Sequence, residues 1–153
     1  MSDTEIIDEV NKYPGQLIVL TGGEPSLFID QEFISTLKRN TGKKIAIETN
    51  GTRRLPEGID WITVSPKMGM SDTGNPEILC EKADELKVVD IGQDLTPYFR
   101  LSCVKEQTTM LLQPCYVEEK EKREKNTRRT IQRVLKDPRW HLSLQTHRYL
   151  GVR

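Results

Sequence analysis

The sequence predicts an α/β fold in which a mostly parallel sheet is flanked by helices. Six short apolar runs are typical of β-strands, and helical segments with an apolar stripe lie between several of them, joined by short loops. Polar residues follow every run at its carboxyl end. The 153 residues have the length of one ordinary domain with a real core, so we expect a single domain over residues 1–153.

Local signals place three helices along the chain. Ser2 and Glu5 form the pattern of a capping box at the first helix, and Asp30 precedes the second. The third helix is predicted to begin at Asn126, which would cap it, after the highly charged but neutral run of residues 118–125. Its inward-facing apolar residues are expected to be Ile131, Val134 and Leu135.

The strands are predicted over residues 16–20, 44–48, 60–64, 85–89, 108–113 and 140–145. In parallel α/β folds the carboxyl ends of all strands meet at one edge, where loops build binding sites. Turn chemistry alone would explain any single polar tip. Six polar tips at one edge favour a binding site, and they lie at residues 21–25, 48–52, 65–67, 90, 113–115 and 145–148.

Composition and charge argue against several classes of partner. The 23 basic and 23 acidic side chains cancel, so neither a nucleic acid nor an anionic membrane surface is indicated. The apolar runs are far too short to span a membrane, and the first residues lack the pattern of a secretion signal, so a cytoplasmic protein is expected. Cys80, Cys103 and Cys115 match neither a disulfide framework nor a metal motif, and we expect three reduced thiols.

In the segment LTGGEPSLF, residues 20–28, the first strand is followed by a threonine and then by two glycines that carry no side chain. Gly22 and Gly23 let the backbone approach a ligand closely, and Glu24 adds a negative charge that suits an amine better than a phosphate. No complete phosphate-binding glycine motif is present in the sequence. The alternative is a tight turn in which Pro25 begins a short helix.

These residues carry a resemblance. LTGGEPSLF resembles the GGEP motif of radical S-adenosylmethionine (SAM) enzymes, which binds the amino group of the SAM methionine. Together, IETNGT, WITVSPK, ADELKVV, LQPC and DPRWHLSLQTHRYLGVR resemble the 7-carboxy-7-deazaguanine synthase family. That resemblance implies ring contraction of 6-carboxy-5,6,7,8-tetrahydropterin to 7-carboxy-7-deazaguanine, in the pathway to queuosine. It also implies a partial (βα) barrel rather than an open twisted sheet.

The resemblance covers nearly the whole chain but not the whole family enzyme. In the family, a first strand precedes GGEP and leads into a CxxxCxxC loop that holds a [4Fe–4S] cluster beside a Mg²⁺ site, and this sequence contains no such motif. We therefore expect a truncated form that lacks the first strand and is inactive alone, which leaves open whether the chain is an enzyme. The alternatives are a non-catalytic SAM- or pterin-binding module and a radical SAM activating enzyme of another family, against which the SLQTH ending speaks.

The resemblance also implies site residues, although no catalytic residue or metal ligand among them. For Lys67 and His147, a solvated loop lysine and a surface histidine are the competing interpretations. Asp84, Glu85 and Lys87 receive no role. A sheet edge without its neighbour favours self-association, a homodimer for example. The SAM-binding residues implied are Gly22, Gly23, Glu24, Asn50, Ser65, Pro66, Lys67, Gln113, Pro114 and Cys115; the pterin-binding residues are Thr21, Gln145, His147 and Arg153.

Overall fold

The computed structural model describes residues 1–70 and 75–151. Within these ranges the helices are α1 (Asp3–Asn11), α2 (Gln31–Thr41), α3 (Lys120–Lys136) and α4 (Thr146–Leu150). The strands are β1 (Leu17–Leu20), β2 (Lys44–Thr49), β3 (Trp61–Val64), β4 (Glu85–Asp90), β5 (Thr109–Pro114) and β6 (Trp140–Leu142). Single 3₁₀ turns follow β1 at Pro25–Leu27 and β4 at Thr96–Arg100.

The six strands form one sheet in the order β1-β2-β3-β4-β5-β6, and every neighbouring pair is parallel. This confirms the predicted α/β class, and the sequential order is the one that strands take in a (βα) barrel. All carboxyl ends therefore lie at the same edge. In the described parts of the chain, no helix is both long and apolar enough to cross a membrane.

The core lies on one face of the sheet, beneath α1, α2 and α3. Alternate residues of each strand enter it, as Leu86 and Val88 of β4 do, because successive side chains of a strand point to opposite faces. On the other face Leu17, Val19 and Trp61 are exposed. The core residues with the least exposure are Ile34, Leu37, Ile45, Ile47, Val64, Leu86, Val88, Cys103, Leu112 and Trp140.

The caps predicted from sequence for the first two helices are confirmed. The Glu5 carboxylate accepts from the Ser2 backbone N–H (2.6 Å), and the Ser2 hydroxyl accepts from the Glu5 N–H (3.3 Å). Asp30 accepts from the Phe33 N–H at 2.8 Å and begins α2, which ends at Gly42 with a φ of 66°. Short-range hydrogen bonds of this kind depend on the local sequence alone.

The prediction for the third helix is wrong in its start and in two of its three inward residues, whereas Val134 packs against the core as predicted. The helix begins after Glu119, and Asn126 is a buried residue inside it whose side chain donates to the Cys115 carbonyl at 2.9 Å. Ile131 and Leu135 are exposed, whereas Thr130 is fully buried. The helix turns its hydroxyl and guanidinium groups toward the sheet because a buried carboxylate at the end of β4 requires donors.

The sixth strand also ends earlier than predicted. It stops at Leu142, and the Ser143 N–H still donates to the Leu112 carbonyl of β5 at 3.0 Å. The chain then turns, so that Gln145 directly precedes the short helix α4. Gln145 and His147 therefore belong to a loop and a helix beside the sheet edge, and not to a strand and its tip.

Candidate functional site

A cleft of about 610 Å³ lies at the carboxyl edge of the sheet, within the size range of small-molecule sites. Residues from the ends of all six strands line it. Five of the six predicted polar tips contribute, and the tip at Asp90 does not. The predicted site residues that line the cleft are Thr21, Gly22, Gly23, Glu24, Asn50, Ser65, Lys67, Gln113, Gln145 and His147.

The remaining predicted residues lie elsewhere. Pro66 is buried and does not line the cleft. Pro114 and Cys115 line a second cavity of about 320 Å³, which adjoins the cleft because Leu144 and Gln145 line both. Arg153 lies outside the described residues.

Glu24 is held by donors from two loops. Its Oε1 accepts from the Ser26 N–H (3.1 Å), the Ser26 hydroxyl (2.7 Å) and the Thr49 hydroxyl (2.6 Å), while Oε2 accepts from the Asn50 N–H (2.7 Å). Partial burial raises the pKa of Glu24, but these hydrogen bonds outweigh it and the net pKa is lowered. Because a carboxylate offers about four acceptor positions, Oε2 retains one for a cationic group in the cleft.

The two glycines before Glu24 differ in what requires them. Gly22 has a φ of 127°, a conformation that side chains rarely adopt, so the turn itself requires glycine. Gly23 has no positive φ, and a Cβ added there would meet no described atom within 4 Å. Neither backbone conformation nor internal packing explains a glycine at position 23, whereas close approach of a ligand to the backbone does.

The turn after β2 closes the neighbouring side of the cleft. The Asn50 side-chain oxygen accepts from the Thr52 N–H (2.9 Å) and the Thr52 hydroxyl (2.7 Å), which leaves its amide N–H groups as donors. Gly51 has a φ of 80°, and an added Cβ would lie 2.7 Å from a methyl of Val64. Position 51 therefore needs glycine for both backbone conformation and packing.

Lys67 places its ammonium at the cleft, where it donates to the Ser65 hydroxyl at 3.1 Å. Burial lowers the pKa of Lys67, and the nearby charge of Lys87 lowers it further, against the opposing effect of Glu24 and Glu48. The Lys67 ammonium therefore places a positive charge in the cleft near the carboxylates of Glu24 and Glu48.

Three charged residues of the cleft received no binding role from the sequence: Glu85 and Lys87, and also Glu48, which was counted only within the polar tip at residues 48–52. The Lys87 ammonium lies 2.9 Å from Oε2 of Glu48, and the Thr63 hydroxyl donates to Glu85 at 2.8 Å. A signal was present in the alternation of charged residues with Leu86 and Val88 along β4. A parallel strand covered on both faces is apolar on both, so charges on one face indicate a polar cavity there.

The described residues do not fit an iron–sulfur cluster or a metal ion. They contain no group of three or more His, Cys, Asp or Glu side chains that could hold one. Cys80 and Cys103 lie in the core, where burial raises the pKa of both thiols, that of Cys103 to about 11. Cluster ligands are thiolates, so these two residues have the opposite character, and Cys115 faces the second cavity alone.

The second cavity is built around Tyr116. The guanidinium of Arg148 on α4 stacks over its ring at 3.8 Å from the centroid, and that of Arg123 on α3 lies 5.4 Å away. Arg123 also donates to the carbonyls of Val117 (3.2 Å) and Glu118 (3.1 Å). These contacts connect α4 to the loop after β5, and thereby set the position of the Gln145–His147 side of the cleft.

Comparisons with known proteins agree on one family. The chain is 45% identical over its full 153 residues to 7-carboxy-7-deazaguanine synthase of Bacteroides thetaiotaomicron, covering 74% of that protein. It is 42% identical over 137 residues to the Nitratidesulfovibrio vulgaris enzyme of the same name, covering 88% of this chain and 58% of that one. No protein-family model matches.

A solved structure is similar over nearly the same range. The crystal structure of QueE from Escherichia coli matches with a TM-score of 0.72 and 25% identity, covering 95% of this chain and 64% of that chain. The chain thus spans between 58% and 74% of the length of these three proteins.

Proposed function

Because the chain belongs to the 7-carboxy-7-deazaguanine synthase family, we propose that its cleft binds SAM together with 6-carboxy-5,6,7,8-tetrahydropterin, for contraction of the pterin to 7-carboxy-7-deazaguanine. The observation that carries this proposal is the convergence of five polar strand tips on one cleft, with an open acceptor position on Glu24. The activity belongs to a longer protein in the relatives, and for this chain it is a proposal.

The residues divide the cleft into two parts. On the SAM side, Gly23 and Glu24 would receive the methionine ammonium, and Lys67 its carboxylate. Ser65, Gln113 and the amide of Asn50 would supply neutral hydrogen bonds for the ribose and adenine. Pro66 would shape the loop between Ser65 and Lys67 from behind the cleft. Pro114 and Cys115 would contact the cofactor from the adjoining cavity, with which the cleft shares Leu144 and Gln145.

On the pterin side, Thr21 after β1 and the segment from Gln145 to His147 flank the cleft. Arg153 remains a prediction for this side. When bound in the complete family enzyme, SAM is the source of the radical that starts the reaction. The described residues contain no set of ligands for the cluster that would supply the electron for that step. What this chain contributes is therefore the binding and mutual orientation of two small molecules.

The test is equilibrium dialysis of the 153-residue chain against radiolabelled SAM. We expect saturable binding by the wild type and at least about tenfold weaker binding by Glu24→Gln, because an amide cannot offer a charged acceptor to an ammonium group. Glu57→Gln, outside the cleft, is the matched control and should bind as the wild type does. A wild-type chain that binds no SAM at millimolar concentration would contradict the proposal.

A second candidate is a non-catalytic SAM- or pterin-binding module, favoured by the protonated core thiols. Production of 5′-deoxyadenosine after anaerobic iron–sulfur reconstitution distinguishes the two candidates. We expect none from the 153-residue chain alone, and turnover would refute our assignment of the cysteines. An activating enzyme of another radical SAM family is not supported, because the relatives reported above carry the synthase name.

The proposal also includes self-association of the chain and a reducing cellular compartment. Among the described strands β1 pairs with β2 alone, so the backbone groups on its other side are available to a partner strand. Self-association, visible as concentration-dependent sedimentation, is the expected result. The three free thiols fit a reducing compartment such as the cytoplasm.

A further inference from the structure

Lys87 and Glu48 form an ion pair on the face of the sheet that carries the cleft. Glu48 on β2 is in register with Thr63 on β3, which is in register with Glu85 on β4. Lys87 follows Glu85 by two residues and shares its face. Its ammonium reaches across β3 to within 2.9 Å of Oε2 of Glu48. Both residues line the cleft, and neither belongs to the GGEP segment or received a binding role from the sequence.

The pair is poorly explained as a stabilising contact. The Lys87 side chain retains 19% of its exposure, so its ammonium has lost much of its water, while Glu48 keeps 46%. Ion pairs with this degree of solvent access contribute little to folding, and ordering a long lysine side chain has an entropic cost. Leucine or valine at position 87 would satisfy a β-strand better.

The pair leaves one carboxylate oxygen of Glu48 unused. Oε2 faces Lys87, and none of the hydrogen bonds found among the described residues is accepted by Oε1 of Glu48. Glu24, in the same cleft, has donors on both oxygens. The lysine therefore fixes the Glu48 carboxylate from one side and leaves the other side facing the cleft.

We propose that Lys87 is a positioning residue: its ammonium orients the Glu48 carboxylate so that the second oxygen accepts a hydrogen bond from a ring N–H of the pterin substrate. This inference rests on the proposed function. A tetrahydropterin carries several N–H donors, and a fixed, charged acceptor binds one of them more tightly than a neutral or mobile acceptor does. No covalent step is involved, and the lysine acts through the glutamate.

The test is anaerobic calorimetric titration of the 153-residue chain with 6-carboxy-5,6,7,8-tetrahydropterin. We expect Lys87→Met, which keeps the length of the side chain, to weaken binding about tenfold, because the loss of one well-oriented charged hydrogen bond is of that order. Lys87→Arg should retain binding within about threefold, since a guanidinium keeps the positive charge and can pair with the same carboxylate. Lys82→Met, which removes the exposed lysine paired with Asp84 at 3.5 Å, is the control and should change nothing.

Glu48→Gln keeps the lysine and provides a second route to the same result. It should weaken pterin binding about as much as Lys87→Met, and the double variant should be no weaker than Glu48→Gln alone, because both changes remove one shared interaction. The SAM affinity measured by dialysis should change by less than about threefold for every variant, because Lys87 and Glu48 act on the SAM side only through the charge of Lys67; a general disruption of the cleft would weaken SAM binding as strongly as pterin binding.

The outcomes separate the inference from the proposed function. If the wild type does not bind the pterin, the proposed function fails and the inference fails with it. Equal pterin binding by the wild type and Lys87→Met would overturn the inference alone. Loss of both pterin and SAM binding in Lys87→Met, without rescue by Lys87→Arg, would overturn it too, since the lysine would then be a structural residue.

Discussion

Asp90 and Glu48 are carboxylates at the same edge of the same sheet, and their surroundings are opposite. Asp90 is fully buried, and each of its oxygens has two partners: the Gly92 N–H (2.9 Å) and Arg133 (2.6 Å) on one, Thr130 (2.8 Å) and Arg129 (3.3 Å) on the other. Glu48 is 46% exposed and has one described partner, Lys87. A carboxylate whose acceptor positions are all filled by the protein holds the fold together, whereas one with an open position is available to a ligand.

The Asp90 network joins three parts of the chain. Arg133 also donates to the Gln93 carbonyl at 2.6 Å, and the Gln93 amide donates to the Val89 carbonyl at 2.8 Å. Helix α3 is thereby attached to the end of β4 and to the loop that follows. The polar tip at Asp90 is a structural element, which explains why it alone among the six tips does not line the cleft.

Removing the Asp90 carboxylate should have the largest effect. In Asp90→Ala, two arginines remain beside a cavity without their counter-ion, and breaking one side of a buried ion pair costs about 3–5 kcal/mol. Urea denaturation should show this loss in the free energy of unfolding. Asp137→Ala, which breaks an exposed pair with Arg139, is the control and should lower stability only slightly. A similar small loss for Asp90→Ala would contradict the structural role.

The Asp90 carboxylate should also make the free energy of unfolding depend on pH in the acidic range. Burial raises the pKa of Asp90, but the bonds from Thr130 and Gly92 and the two arginines outweigh it, so the net pKa is below its ordinary value of 3.8. The folded state therefore binds the proton less readily than the unfolded state. Its contribution to stability is complete above pH 3.8 and is lost as the pH falls through the folded pKa. Urea denaturation between pH 6 and about pH 3 should lose stability less steeply for Asp90→Asn than for the wild type.

Gly51, in the turn beside the cleft, represents the structural side of the comparison. Alanine at position 51 would have to adopt a φ of 80° and place its Cβ 2.7 Å from the fully buried Val64. We expect a loss of about 2–3 kcal/mol from backbone strain and overpacking together. Gly42→Ala isolates the cost of backbone strain, because position 42 has a φ of 66° and an added Cβ would meet no described atom within 4 Å. Its free energy of unfolding should fall by about 1 kcal/mol. If urea unfolding shows equal losses of free energy for Gly51→Ala and Gly42→Ala, the expected cost of overpacking against Val64 is contradicted.

Features that depend on neighbouring residues could be predicted from the sequence, whereas features that depend on distant contacts could not. The caps at Ser2 and Asp30 depend on neighbouring residues, and the structure confirms them. The start of α3 and its inward face depend instead on distant residues. The Thr130 hydroxyl donates to Asp90, which lies 40 residues away in the sequence. The spacing of Ile131, Val134 and Leu135 gives no sign of a buried carboxylate that turns the side carrying Thr130 and Val134 inward and leaves Ile131 and Leu135 exposed.

The candidate site divides in the same way. The glycines and Glu24 lie in a contiguous motif, so their place in the cleft follows from one turn after a strand. The Lys87–Glu48 contact spans three strands, and it depends on a register that alternation alone does not specify. Charge on one face of β4 indicates a polar cavity but not which acid the lysine meets.

Gly23 should show the smallest change in stability and a clear change in binding. An alanine Cβ at position 23 would meet no described atom within 4 Å, and the residue has no positive φ, so the free energy of unfolding should change by less than about 0.5 kcal/mol. SAM affinity, measured by dialysis, should fall about tenfold because the methyl would occupy space that the ligand needs beside the backbone. Gly15→Ala, an equally open position that does not line the cleft, should change neither quantity. Unchanged SAM affinity in Gly23→Ala would mean that the open space beside this glycine is not where the cofactor binds, while a large loss of stability would place Gly23 with Gly51 on the structural side of the comparison.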